Sequence, residues 1–219
     1  MHFEFLIEDQ SGKKALEILL PKMMNDKHTF RIHSYKGAGR IPENLKPKSG
    51  ADKRILLDRL PRLLKGFGKA SLDYQPIIIV VLDLDNKNRV EFQKDLINVL
   101  DSCSPKPRAY FHFAIEKLEA WYLGDLPAIR GAYPAAKTDI LSGYENDSIC
   151  GTWELLADAI YSGGHKALSK NGWMAVGKEK SVWAANISPL MKIENNLSPS
   201  FNLLCSGLAD IMSADGENS

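Results

Sequence analysis

Acidic residues stand at three places where apolar segments end. Glu8, with Asp9 behind it, closes the first such segment. Asp83 and Asp85 close the aliphatic run Ile77–Leu82, and Glu116, with Glu119 three residues on, closes Arg108–Ile115. Clustered carboxylates repel one another and raise each other's pKa unless a cation neutralises them. Oxygen donors with no His or Cys nearby suit Mg2+ or Mn2+. Such a site activates water and clamps a phosphoryl group, especially with two ions about 4 Å apart. On an extended backbone Asp83 and Asp85 point the same way, and on a helix Glu116 and Glu119 share a face. The bland alternatives are helix caps at Asp9 or Asp85 and surface pairing of Glu116 or Glu119 around Lys117. A cap uses only one acid of the Asp83/Asp85 pair.

The elements that must position these acids are legible as strands alternating with helices. Residues 2–8 become increasingly apolar, like a strand entering a core. Leu16, Leu19, Leu20 and Met23 repeat at helical spacing, with Ser11 as the expected N-cap. Thr29–Tyr35 alternates as a strand. Leu56, Leu60, Leu63, Leu64 and Phe67 form a helical pattern that Pro61 should kink or split. Pro76–Leu82, six aliphatics in a row and mostly β-branched, reads as a strand buried on both faces. A helix carrying Phe92, Leu96, Val99 and Leu100 follows, then a strand at Arg108–Ile115, and Glu116–Leu123 continues as helix. The pattern predicts an α/β fold: a mainly parallel sheet of about four strands, flanked by helices. Residues 126–212 carry helical stretches, at Thr152–Ile160 and Ser181–Met191, and read as a helical extension packed on the core of residues 1–125. The polar tail 213–219 is expected to fray.

Composition is that of an ordinary folded chain, 44% hydrophobic and 25% charged in 219 residues. The three cysteines, Cys103, Cys150 and Cys205, are too scattered for a zinc knuckle or redox motif and read as core thiols. No aliphatic run is long enough to cross a bilayer, and Met1 runs straight into a strand-like segment, so the expected location is cytoplasmic. Net charge is +1, but residues 31–69 hold eleven Lys/Arg against three Asp/Glu. That asymmetry suits a protein meeting a polyanion on one side, or equally a solvated helix face with a basic loop.

Several segments together resemble a known superfamily. They are Leu6–Gly12 (LIEDQSG), Ser34–Pro42 (SYKGAGRIP), Val81–Asp85 (VLDLD), Phe113–Trp121 (FAIEKLEAW), Gly177–Lys180 (GKEK) and Ser198–Phe201 (SPSF). A Glu ending the first strand and Asp-x-Asp after a buried strand resemble the Toprim superfamily. The wider set looks like a bacterial domain-of-unknown-function family related to OLD-type nucleases. The resemblance implies a Toprim-like fold and Mg2+-dependent phosphodiester chemistry. It also implies pairing with an ATPase subunit, as in split defence systems of phage-resistant bacteria. Position by position it assigns Glu8, Asp83 and Asp85 as catalytic metal ligands. Glu116 and Glu119 are candidates for a second metal, although Lys117 stands where many relatives carry another acid.

The expected function is therefore a metal-dependent nuclease, with Lys36, Arg40, Lys178 and Lys180 gripping nucleic acid. Glycines around Ala38 would let main-chain N–H groups approach a phosphate, although a plain flexible loop is the commoner meaning of Gly-Ala-Gly. No Tyr sits in a topoisomerase-like context and no primase zinc module accompanies the motif, which favours hydrolysis. The alternatives are a non-catalytic subunit docking on an ATPase, and a nucleotide-binding or nucleotidyl-transfer protein. Trp121 is expected in the core rather than as a stacking platform.

Overall fold

Four apolar segments become strands: β1 (His2–Ile7), β2 (Thr29–Ser34), β3 (Ile77–Asp83) and β4 (Ala109–Ala114). In the computed structural model, which describes residues 1–45, 54–70, 75–148 and 151–216, they form one parallel sheet in the order β2-β1-β3-β4. Parallel neighbours need crossovers, supplied by α1 (Gln10–Met23), α2 (Leu56–Gly68) and α3 (Arg89–Asp101). The chain winds outward from β1 to β2, crosses back, and winds outward again from β3 to β4. The winding direction therefore reverses between β1 and β3, the place where open α/β sheets leave a crevice at their carboxyl edge.

Alternation along the strands divides the interior into two layers of packing. Phe3, Phe5, Ile7, Ile77, Ile79 and Val81 face Leu16, Leu19 and Leu20 of α1. On the opposite face Leu6, Ile78, Val80 and Leu82 meet Leu56, Leu60 and Leu64 of α2, and Phe92, Leu96 and Val99 of α3. β3 is buried on both faces, as its unbroken aliphatic run requires. Each such side chain contributes about 1.5–3 kcal/mol of transfer free energy.

The rest of the chain is helical: α4 (Glu119–Leu123), α5 (Leu126–Ala132), α6 (Thr138–Ser142), α7 (Thr152–Ile160), α8 (Gly164–Lys170), α9 (Trp173–Ile187) and α10 (Pro199–Gly216). These helices complete the α1 face: Trp121, Trp183, Ile187, Phe201, Leu204 and Leu208 share one core with α1 and the sheet. Lys22 fastens α1 to the end of α9, its Nζ donating to the carbonyls of Ser188, Pro189 and Met191 at 3.0, 2.7 and 2.9 Å. Among the described residues no helix is long and apolar enough to cross a membrane.

Several boundaries differ from those read in the sequence. Of the two caps that the sequence offers for α1, Asp9 rather than Ser11 is used: its Oδ1 accepts from Gly12 N at 2.7 Å, and Ser11 Oγ donates to both Asp9 oxygens. α2 continues through Pro61, which is itself buried; the packing of Leu57, Leu60 and Leu64 against the sheet holds the helix across the hydrogen bond proline cannot make. α9 begins at Trp173, earlier than the expected Ser181, and α10 runs on through Gly216, where the sequence predicts a frayed tail. Cys103 is buried and Cys205 half-buried. Cys150, residues 46–50 of the basic loop and residues 217–219 lie outside the described residues.

The loop after β2 has a structural duty. Gly37 O and Ala38 O accept from Leu56 N at 3.2 Å and Leu57 N at 2.8 Å, which satisfies free amides at the start of α2 where Ile55 offers no side-chain cap. Gly39 has φ +72°, and a Cβ there would run into Ile55 Cγ2 and come within 2.8 Å of Asp58 Oδ1. Gly39→Ala is therefore expected to lower the unfolding free energy by roughly 1–3 kcal/mol, read from urea denaturation. An unchanged midpoint would show that the loop is not locked to α2.

Candidate acidic site at the carboxyl edge of the sheet

Glu8 lies one residue past β1, and Asp83 is the last residue of β3. Because the two strands are parallel neighbours, with Ile7 opposite Val81, their ends arrive together. Glu8 Oε2 accepts from Asp83 N at 3.2 Å. The Asp83 carboxylate accepts from Leu118 N at 3.1 Å through Oδ1. Pairing between the β3 and β4 chains continues past the strands, Leu84 N donating to Ala114 O and Asp85 N to Glu116 O, both at 2.9 Å. That extension delivers Lys117 to the acids.

Lys117 Nζ stands 2.5 Å from Asp85 Oδ1 and 3.8 Å from Asp83 Oδ2. Lys87 Nζ holds the other oxygen of Asp85 at 3.0 Å, and Lys180 Nζ lies 3.1 Å from Glu119 Oε2. Burial works against both buried ammoniums, but the neighbouring carboxylates outweigh it, and Lys117 and Lys180 are held protonated above the ordinary lysine range. Asp85 is lowered: its burial is outweighed by the hydrogen bonds from Lys117 and Lys87. Asp83 is pushed well above the usual carboxylate range by burial and then by Glu8, and Glu8 is raised by burial against the Asp83 backbone bond. Burial raises both carboxyls by more than the charges of Lys117 and Lys180 lower them.

The structure brings together Glu8 and Asp83, keeps Asp85 across Lys117 from Asp83, and commits Glu116 and Glu119 to other partners. Asp85 takes a left-handed backbone, φ 50°, so the strand alternation ends at Asp83 and the Asp85 carboxylate faces Lys87 and Lys117. Glu116 is also left-handed, φ 60°, a conformation that costs a β-carbon residue about 1–3 kcal/mol. Two hydrogen bonds hold it there: Glu116 Oε2 accepts from Thr152 N at 2.8 Å and from Thr152 Oγ1 at 2.5 Å, tying down the start of α7 after Gly151. Helix α4 begins only at Glu119, so Glu116 and Glu119 do not share a helix face as the spacing predicts. Glu119, 1% exposed, is the buried partner of Lys180. Neither Asp83 nor Asp85 caps α3; Asn88 does, accepting from Val90 N and Glu91 N.

The basic candidates separate in the same way. Lys36, Arg40 and Lys178 are exposed, whereas Lys180 is committed to Glu119. The loop carrying Lys36 is fastened beside the site by Gly37 N donating to Glu8 O at 2.9 Å. The amides of Lys36 and Arg40 donate to Arg54 O and Asp58 Oδ1, so these two main-chain donors are used within the protein. Trp121 is core, its Nε1 donating to Ser200 Oγ at 3.1 Å, and Ser198 and Ser200 are buried against Asp147.

The donor set is compatible with a hard divalent cation in a limited form. Mg2+ takes one or two carboxylates and completes its shell with water and substrate oxygens, and Glu8 with Asp83 offers such a pair. The three-acid set expected from the sequence is not assembled: among the described residues no group of three or more His, Cys, Asp or Glu converges as ligands. Lys117, the cation that contacts both Asp83 and Asp85, is the residue of this cluster that spacing alone undervalues. Its signal in the sequence is its place between two glutamates directly after a strand.

The raised carboxyls make stability pH-dependent. The folded protein binds more protons than the unfolded chain from the ordinary carboxyl range up to the raised values of Asp83 and Glu8, so stability falls as pH rises through that window. Asp83→Asn, which mimics the protonated acid, is expected to flatten this fall and to melt above wild type at pH 8. Thermal midpoints between pH 4 and 8 check it; parallel curves for the two proteins would contradict it.

No curated protein and no solved structure matches the chain. Residues 7–209 match a family model, a domain of unknown function (DUF4276), which takes in the acidic site, strands β2, β3 and β4 and most of the C-terminal helices. The chain belongs to the DUF4276 family.

Proposed function

We propose that this chain is a Mg2+- or Mn2+-dependent nuclease, cleaving phosphodiester bonds of nucleic acid in the cytoplasm and working with an ATPase subunit. The observation that carries the reading is the meeting of Glu8 and Asp83, from the ends of neighbouring parallel strands, at the sheet's topological switch point. The Toprim-like order of Glu, then Asp-x-Asp, supports the same chemistry, and the ATPase partner rests on that resemblance.

In this reading Glu8 and Asp83 hold the ion. A bound divalent cation supplies an activated water and neutralises charge on the phosphoryl group. Asp85, aimed by Lys87, orients Lys117, and once Asp83 is neutralised the Lys117 ammonium is available to a phosphoryl oxygen. Lys36 and Arg40, exposed on the loop fastened to Glu8, meet the nucleic-acid backbone.

A specific observation favours a second reading. Lys117 and Lys180 already provide positive charge among the acids, so the cluster also suits a non-catalytic subunit whose polar interior only specifies its fold. Plasmid and single-stranded circular DNA, incubated with Mn2+ and the full-length protein, separate the two. The nuclease reading predicts cleavage by wild type and a loss of about 100-fold or more in Glu8→Gln and Asp83→Asn. Equal cleavage by the variants rules out this site. No cleavage by a preparation carrying its copurified ATPase establishes the non-catalytic reading.

A further inference from the structure

Next to the acids lies an open cleft of about 410 Å3, lined by Lys117, Trp153, Ser169, Trp173, Val176 and Lys180. That volume is within the range of small-ligand sites. Its walls combine two indoles with the two ammoniums that touch Asp83, Asp85 and Glu119. Trp173, the first residue of α9, is 81% exposed, the most exposed large hydrophobic side chain among the described residues. Neighbouring Met174 is 70% exposed. Leaving a tryptophan in water on the rim of a cleft forgoes its burial, which points to a ligand that covers it.

Trp153 is partly buried against the core and fixed in place. His165 meets its ring edge-on with centroids 6.5 Å apart, and Asp158 holds His165 Nδ1 at 2.8 Å. Lys166 and Lys170 are exposed on α8, the helix that carries the cleft residue Ser169. Glu179 accepts from Trp183 Nε1 at 3.0 Å. Aromatic faces beside a lysine-bordered track are the recognition chemistry of unpaired nucleic acid: bases stack irrespective of sequence while cations follow the phosphates. Duplex bases are already stacked and present no free face.

We propose that the Trp153–Trp173 cleft receives an unpaired base of a nucleic-acid strand, with the adjoining phosphate directed past Lys117 and Lys180 toward the Glu8–Asp83 site. The inference rests on the nuclease reading for its direction, but binding is separable from cleavage. Lys166 and Lys170, exposed on the helix that carries Ser169, offer phosphate contacts that a free mononucleotide would leave unused, so a strand is the ligand proposed.

The test is tryptophan fluorescence and anisotropy of full-length Asp83→Asn protein, in EDTA, titrated with a labelled oligothymidylate. Separate arms use a duplex of the same length, thymidine monophosphate, and the added substitutions Trp173→Ala and Trp173→Phe. The expected result is quenching by the single strand and about tenfold or greater weakening in Trp173→Ala. Trp173→Phe, which keeps a stacking face, should stay within about threefold of its parent. Unchanged affinity in Trp173→Ala, equal binding of duplex, or mononucleotide binding as tight as the oligomer would overturn the proposal. Failure of the nuclease reading is visible separately: a strand that binds through Trp173 yet is never cut by wild type with Mn2+ leaves the cleft assignment standing.

Discussion

The parallel pairing of β1 with β3 is the constraint on which the site depends. It places the ends of two sequence-distant strands side by side, so Glu8 and Asp83 meet through a direct hydrogen bond although 75 residues separate them. The cost of crowding two carboxyls in a half-dry crevice is met by the sheet and its two covering layers. The aliphatic β3, packed against helices on both faces, makes the strand ends rigid enough to hold that repulsion.

The C-terminal helices have a share in the site as well as in the core. α9 brings Lys180 to Glu119, and α7 is fixed by Glu116, so residues beyond the sheet set both the charge balance and one wall of the cleft. Glu116 illustrates how a residue near a site can serve it indirectly. Its strained backbone turns the chain so that Lys117 faces the acids, while its own carboxylate anchors a neighbouring helix.

What the sequence made legible followed from periodicity. The strand positions and parallel order class were readable because β3 is an unbroken aliphatic run and the crossovers carry leucines at helical spacing. Glu8 and Asp83 were readable because each ends such a strand. Asp85 and Glu116 depart from the geometry their spacing predicts for one reason: both have left-handed backbones, which neither strand alternation nor helical spacing describes. The Gly37–Gly39 loop misled in another way, because its amides and carbonyls are used to fasten Glu8 and to cap α2, contacts between segments far apart in the chain. Trp153 and Trp173 carry no local signature of a shared cleft; only the packing of α7 beside α8 and α9 unites them.

The central claim is that the Glu8–Asp83 pair still has room for a cation despite Lys117. Crystals of the full-length protein soaked with Mn2+ and measured at the manganese edge test it most directly. The account predicts an anomalous peak within ligand distance of both carboxylates, about 2.0–2.3 Å, with the Lys117 ammonium withdrawn from Asp83. A map with no peak there and Lys117 still against Asp83 would contradict it.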